Sequence, residues 1–309
     1  MADLAAADAA RGYRLAQHVT RAAGRTYYLA SRLLPAAGRR GVFALYAYAR
    51  MADDVVDEPG TPAVQSARLD VLEAGLSAAL AGAAPPAVDP DTADVLAALA
   101  DTVHRFGIPT DTFAAFGRSM RMDLPGDPSF RNRYASFEEL AEYTYGSAAV
   151  IGLQLLPILG ADVGDEATAA GAALLGEAFQ LTNFLRDVGE DAARDRIYLP
   201  ADHLAAFGVD EQALMADAAR RRAGEPLRHA VAHLIAVNRD QYRRTSAAID
   251  ALPRRTRPAI SAAARSYSAI LTEIERLDHD VFARRAVVPR RRRLGHATLA
   301  LSGRPITRW

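Results

Sequence analysis

Apolar residues recur three and four positions apart along seven stretches of this chain, at 42–56, 69–80, 95–106, 137–156, 169–188, 227–249 and 260–282. That spacing gathers them on one face of an α-helix, whereas a half-buried strand would alternate in twos, and few runs do. Proline removes a helical N–H and clashes with the preceding turn, so it belongs at helix boundaries. Most prolines do fall between the periodic stretches, at Pro35, Pro59, Pro62, Pro85, Pro86, Pro90, Pro109, Pro125, Pro128, Pro200, Pro226, Pro253, Pro258 and Pro289. The expected fold is all-α. Residues 81–90 are the most loop-like piece of the first half, but a stretch that short is a connection rather than a domain linker. With no internal repeat, residues 1–309 read as a single domain, with 1–20 as an N-terminal extension and 290–309 as a basic C-terminal tail. A second polar interruption at 125–133 reads as a lid between a helix ending near Met122 and one that Ser136 and Glu139 open as a capping box.

Composition narrows the chemistry. The 37 basic residues, all arginine, balance 37 acidic ones, so no global field draws the chain to nucleic acid or to an anionic surface. Attraction of that kind has to be local, and Arg284, Arg285, residues 290–293 and His296 make the one cationic patch. The absence of cysteine removes disulfides, thiolate nucleophiles and Cys-based zinc sites, leaving oxygen ligands and hard cations as the route to a metal. The first residues carry Asp3 and Asp8 without an apolar segment, which does not read as a secretory signal. The most apolar stretch, 148–160, is interrupted by Gln154 and Pro157 and falls short of the roughly 20 residues that cross a bilayer. A cytoplasmic protein is expected.

Two acidic helical faces stand out. Tyr46, Arg50, Asp53 and Asp57 are spaced four, three and four, so they share a face, and the two carboxylates repel unless something positive sits between them. A solvated acidic helix end, with Asp54 and Glu58 facing water, accounts for one such motif taken alone. Gln180, Asn183, Asp187 and Asp191 repeat the pattern with spacings of three, four and four, flanked by Leu181, Phe184, Leu185 and Val188. A polar stripe inside an apolar helix needs partners. Two facing stripes supply oxygen ligands for Mg2+, which takes one or two carboxylates and completes its shell with water and substrate phosphates. The structural alternative is a pair of buried acid–arginine networks using Arg50 and Arg186.

A diphosphate neutralised by metal and arginine is a good leaving group. If the organic part is allylic, its departure leaves a carbocation, which needs a water-poor cavity lined by aromatic faces. Tyr27, Tyr28, Phe43, Tyr46, Tyr143, Tyr145 and Phe179 lie in or beside the polar segments; each is also an ordinary candidate for core packing.

The stretches GRTYYLASRLLPAAGRRGVFALYAYARMADDVVDE, EYTYGSAAVIGLQLLP and GEAFQLTNFLRDVGEDAARDRIYLP, in that order, closely resemble the squalene and phytoene synthase family. The resemblance implies a single all-α isoprenoid-synthase bundle around a central cavity. It implies that Asp53, Asp57, Asn183, Asp187 and Asp191 hold Mg2+, or Mn2+ in its place, on a diphosphate, with Gln180 on the same surface. Arg50, Arg186 and Arg284 would meet phosphate oxygens, Tyr27 would contact substrate, and Tyr46 and Tyr267 would join the Asp residues in catalysis. Tyr143, Ala148 and Gly152 would line the tunnel for a prenyl tail. The small residues Gly146, Ser147, Ala148, Ala149 and Gly152 leave room for such a tail, and equally suit two helices packed closely together. Where the family usually has a valine-alanine-glycine run, this chain reads Ser147-Ala148-Ala149.

Within the family the resemblance is closest to bacterial phytoene synthases, in YGSAAVIGLQLLP and DVFARRAVVPRRRRL. It implies head-to-head condensation of two geranylgeranyl diphosphates through prephytoene diphosphate to phytoene, with no NADPH. The alternatives are squalene, dehydrosqualene or hydroxysqualene synthesis from farnesyl diphosphate, and a non-enzymatic assembly factor of the same fold, against which both intact Asp pairs argue. Head-to-tail elongases and terpene cyclases share the DDxxD spelling of residues 53–57, but NFLRDVGED matches neither second motif. The implied partners are an isoprenoid diphosphate and a lipid surface, met peripherally at the inner face of the membrane, and not nucleic acid.

Overall fold

The computed structural model describes residues 2–58, 60–84, 88–303 and 306. Pro59, Pro85, Pro86 and the end of the tail at Trp309 lie outside the described residues. Fifteen α-helices and one π-helical turn make up the regular structure among those described, and the only bridge is an isolated one between Arg133 and Ile197. The helices are α1 (Ala2–Ala23), α2 (Arg25–Ser31), α3 (Ala36–Asp57), α4 (Pro62–Leu80), α5 (Pro90–Phe106), α6 (Asp111–Arg121), α7 (Phe137–Thr144) and α8 (Val150–Leu159). They continue with α9 (Glu166–Ala193), α10 (Ala201–Ala205), α11 (Glu211–Arg220), α12 (Glu225–Arg244), α13 (Ser246–Ala251), α14 (Arg257–Glu275) and α15 (Arg290–Leu301). The fold is all-α, as the apolar periodicity requires. No described helix is long and apolar enough to cross a membrane.

Local chemistry sets the boundaries. Asp89, Asp165 and Asp210 accept the backbone N–H three residues on, at 3.0, 3.2 and 2.7 Å, each such cap contributing about 0.5–2 kcal/mol. Ser136 caps α7 in the same way, while the Glu139 carboxylate reaches back to the Ala135 N–H at 2.7 Å, one residue beyond the usual box. The segment read as the N-terminal extension forms α1, which packs against α5: a Cβ on Gly12 would lie 1.8 Å from the Asp94 carbonyl oxygen, so only glycine permits the approach.

Three expected helices end or break differently. The 137–156 stretch contains the π turn Tyr145–Ala149, where Ser119 Oγ donates to the Tyr143 carbonyl at 2.9 Å and α6 lies against Gly146. The 227–249 stretch breaks at Thr245, whose hydroxyl donates to the Tyr242 carbonyl at 2.8 Å. The 260–282 stretch stops at Glu275, because Asp278 and His279 adopt left-handed φ of 54° and 58°. Residues 125–133, expected as a lid, are tied down near one end by Asp127 N–H to Leu124 O at 3.1 Å, and near the other by Arg131 N–H to Met122 O and Ile197 N–H to Asn132 O, both 2.9 Å.

At 28 residues α9 is the longest helix, and it packs against α8, α12, α13 and α14. The largest core cluster surrounds it, with Leu185, Leu214, Leu234, Tyr242 and Leu271 fully buried. Its remaining face borders a cavity.

Candidate active site

The cavity has a volume of about 900 Å3, and its lining follows helical stripes. On α9 it touches Thr168, Gly171, Ala172, Leu175, Gly176, Phe179, Gln180, Asn183, Asp187 and Asp191, so one helix is apolar at its start and polar at its end. On α3 the stripe is Val42, Leu45, Tyr46, Ala49, Arg50, Asp53 and Asp57, apolar to polar in the same sense. Both acidic pairs thus sit in the last turns of their helices, where backbone carbonyls already concentrate negative charge. The polar end consequently concentrates negative charge. The other end is lined by Leu156 and Leu159 of α8, Ala248 and Ile249 of α13, Leu252, and Ile260 of α14.

At the polar end the four aspartates fall into two kinds. Asp57 accepts from Arg194 Nη1 at 3.1 Å and Arg196 Nη1 at 3.0 Å, which ties α3 to the end of α9. Asp187 is clasped by Arg186, Nε at 2.8 Å and Nη2 at 2.5 Å, and by Arg285, Nε at 2.8 Å and Nη2 at 3.0 Å. Burial pushes the Asp187 carboxyl up, but the two guanidinium groups outweigh it and hold the group below the usual carboxylate range. Asp53 and Asp191 have no such clasp. Burial, and then the neighbouring Asp57, pushes Asp53 up to about 7, and burial, and then Asp187, pushes Asp191 up to about 8. Arg50 pairs with Asp54 rather than with Asp53.

Aromatic rings separate the two ends. Tyr267 stacks on Phe179 with centroids 4.4 Å apart, and Tyr27 lies 5.1 Å from Tyr267 and 5.6 Å from Tyr46. Gly24 admits the Tyr46 ring, which a Cβ there would meet at 2.5 Å. On the opposite wall Tyr143, Phe184 and Tyr198 stack together, and the Tyr143 and Tyr198 hydroxyls both donate to buried Asp123 at 2.7 Å. Burial raises the Asp123 carboxyl above its ordinary value, against Arg196 and the two hydroxyl donors.

The structure brings Tyr27, Tyr46, Arg50, Asp53, Asp57, Tyr143, Ala148, Gly152, Gln180, Asn183, Arg186, Asp187, Asp191 and Tyr267 to this one cavity. Arg284 is exposed and outside the lining; its neighbour Arg285 makes the contact with Asp187 instead. Tyr28 stacks on Phe43 in a core cluster with Ala16 and Val95, and Tyr145 is exposed, so these three do not line the cavity. Gly146 and Ala149 are also outside it. A Cβ on Gly146 would stand 2.2 Å from the Ala115 carbonyl oxygen, and one on Gly152 would stand 2.2 Å from that of Ala172. Gly146 therefore serves close helix packing, Gly152 packs closely while also bordering the cavity, and Ser147, Ala148, Ile151 and Leu155 line the cavity beside it. Sequence reasoning missed Asp123, Arg194, Arg196 and Tyr198, and placed Arg285 and Arg293 in the cationic patch without bringing them to this cavity. Arg194, Arg196 and Tyr198 directly continue the second acidic motif, whereas Asp123 carries no local signal because its partners lie 20 and 75 residues away.

A divalent cation suits this donor set. No three His, Cys, Asp or Glu side chains converge among the described residues, but Mg2+ needs only one or two carboxylates when phosphate oxygens supply the rest. Asn183 Oδ1 is buried without a hydrogen-bond partner, and Asp53 and Asp191 are carboxyls without a clasping cation.

The squalene/phytoene synthase family profile matches residues 20–292. The chain belongs to the squalene/phytoene synthase family. Phytoene synthase 3, chloroplastic, of Zea mays is 36% identical over 280 residues, which is 89% of this chain and 62% of that protein, so the chain spans under two thirds of the maize relative. Phytoene synthase of Arthrospira platensis is 36% identical over 288 residues, 90% of this chain and 88% of that protein. A dehydrosqualene synthase crystallised with a ligand superimposes at TM-score 0.83 and 27% identity, over 96% of this chain and 97% of that one. Squalene/phytoene synthases are prenyltransferases with the all-α isoprenoid-synthase fold; they bind isoprenoid diphosphates and use a divalent metal.

Proposed function

We propose that this chain is a phytoene synthase, joining two geranylgeranyl diphosphates head to head through prephytoene diphosphate to phytoene. The observation that carries the reading is the cavity that runs from an aspartate–arginine end to an apolar end along one face of α9. Bound Mg2+, or Mn2+ in its place, would neutralise the charge that develops on the departing diphosphate. Asp53, Asp57, Asn183, Asp187 and Asp191 would hold it, with Gln180 beside them. Arg50, Arg186, Arg194, Arg196 and Arg285 surround the same end and serve the phosphate oxygens, since guanidinium forks match phosphate geometry. The apolar end takes the prenyl tails and keeps water from the cation. Tyr27, Tyr46, Phe179 and Tyr267 present ring faces where the allylic charge develops.

Rearrangement of the cyclopropyl intermediate ends in loss of a proton, so phytoene formation needs no NADPH. The 27% identical dehydrosqualene synthase favours a second reading, in which farnesyl diphosphate is the substrate. Incubating the purified protein with Mg2+ and either diphosphate, with and without NADPH, followed by product mass analysis, distinguishes the two; a C40 product independent of NADPH is expected. Chelation of divalent metal should abolish it. A substrate and product of this kind are lipids, so the protein works against a lipid surface, peripherally at the inner face of the cell membrane.

A further inference from the structure

We propose that α15, with Val287 immediately before it, is the face by which the protein docks on an anionic lipid bilayer, with the cavity mouth turned to the lipid. The inference rests on the reading of the substrate as a prenyl lipid and adds the surface that meets the membrane. Among the described residues seven large apolar side chains are exposed, and four of them, Val287, Leu294, Leu299 and Leu301, fall within one short segment. Clustering of that kind marks an interaction surface, whereas scattered exposed apolar residues do not. Leu294 and Leu301 are two helical turns apart on the outward side of α15, while Arg292, Arg293, His296 and Ala300 point inward: Arg292 pairs with Glu273, and His296 faces Ser266. Val287 is the most exposed of the seven at 64%, and it also lines the cavity, which places the apolar patch at the mouth.

Charge selects the kind of lipid. From residue 281 to the end of the sequence there is no acidic residue and there are eight arginines. Arg285 and Arg292 are engaged with acids of the bundle, but Arg284, Arg290 and Arg291 are exposed and make no ion pair among the described residues. Outward leucines beside uncompensated arginines fit an interfacial helix, whose apolar side chains enter the acyl boundary while its cations meet anionic headgroups. A docked α15 sets the mouth against the bilayer, so a prenyl tail passes between lipid and cavity without crossing water.

Vesicle flotation tests this with the full chain and its R290Q/R291Q and L294Q/L301Q variants, on phosphatidylcholine vesicles with and without phosphatidylglycerol. All four residues are exposed and outside the cavity lining. Wild type should float with anionic vesicles only. Loss of two arginines should weaken binding roughly 25-fold at low salt, at roughly fivefold per arginine, and the leucine variant should weaken it at every salt concentration. Unchanged flotation of both variants, or equal binding to neutral vesicles, overturns the proposal. So does retention on a soluble polyanion as strong as that on anionic vesicles. Turnover of detergent-solubilised geranylgeranyl diphosphate is measured in parallel. If wild type floats as expected but forms no product, the enzymatic reading fails while docking stands; if both variants keep wild-type turnover in detergent and lose it on vesicles, docking is supported separately from chemistry.

Discussion

Replacing Ala248 with phenylalanine should convert the protein from a twenty-carbon to a fifteen-carbon preference. Ala248 lines the apolar end of the cavity, where α13 meets α9 at Gly171. It lies far from the acidic pairs along the stripe: Gly171 and Asp187 are sixteen residues apart on α9, about 24 Å at 1.5 Å per residue. A ring placed there obstructs the last isoprene unit of a tail and leaves the metal and phosphate contacts intact. Expelling that five-carbon unit forfeits about 3–4 kcal/mol at 0.8 kcal/mol per buried carbon, so kcat/KM for geranylgeranyl diphosphate should fall roughly 100- to 1000-fold. Farnesyl diphosphate, one unit shorter, should keep its kcat/KM within a few-fold.

The assay is the ratio of the two kcat/KM values, read beside the melting temperature. Ala149→Phe is the control, because Ala149 is fully buried outside the cavity, with the position of a Gly176 Cβ only 3.3 Å from its Cα. Overpacking there should cost at least 1–3 kcal/mol and depress both substrates along with the melting temperature. A stable Ala248→Phe protein with an unchanged substrate ratio would refute the assignment of the apolar end to the tail.

Further outcomes follow from the polar end. Asp57→Asn and Asp187→Asn should each lower turnover by at least two to three orders of magnitude, the size of a lost preorganised electrostatic contact of roughly 3 kcal/mol or more; near-wild-type activity in either would contradict their placement. Metal-free protein should lose stability as pH rises from about 4 to 8, because Asp53 and Asp191, pushed up to about 7 and about 8, bind protons in the folded chain that the unfolded chain has released. Mg2+ requires the ionised forms, so it should raise the melting temperature more at pH 8 than at pH 6, and an equal shift at both would count against these ligands. Asp123→Ala should strand the Tyr143 and Tyr198 hydroxyls and Arg196, costing about 2–4 kcal/mol, visible as a lower denaturation midpoint.

The fold class was legible because helical periodicity is a local property, and the long stripes on α3 and α9 carried both acidic pairs in plain view. What the sequence did not show depends on neighbours. Gly146 looked like room for a tail, and only the position of Ala115 reveals that it is where helix backbones meet, while Gly152 both borders the cavity and packs against Ala172. Arg284 and Arg285 are indistinguishable as adjacent letters; one faces solvent, the other Asp187. The break at Thr245 and the early end of α14 follow from a side-chain hydrogen bond and from left-handed residues that apolar spacing does not register. Asp123, followed by Pro125 and Gly126, which interrupt any helical stripe with Asp127, gains its meaning from two tyrosines on distant elements.

The acid–arginine network and the metal site are not competing explanations of the same residues. If stability alone were served, arginines would neutralise all four aspartates, or apolar side chains would replace them at little cost, since buried ion pairs are often no better than a well-packed core. Instead the clasps stop half-way. Asp57 and Asp187 each receive two arginines, while Asp53, Asp191 and the Asn183 carbonyl oxygen face the cavity without one. On the proposed reading a divalent cation entering with the diphosphate supplies the missing positive charge and lets Asp53 and Asp191, pushed up to about 7 and about 8, give up their protons. The same arrival gives the clasping arginines a second acceptor, because Arg186, Arg194, Arg196 and Arg285 all border the cavity. On the proposed reading the site would be complementary to the ion and the diphosphate together, which ties binding to the neutralised leaving group that ionisation requires.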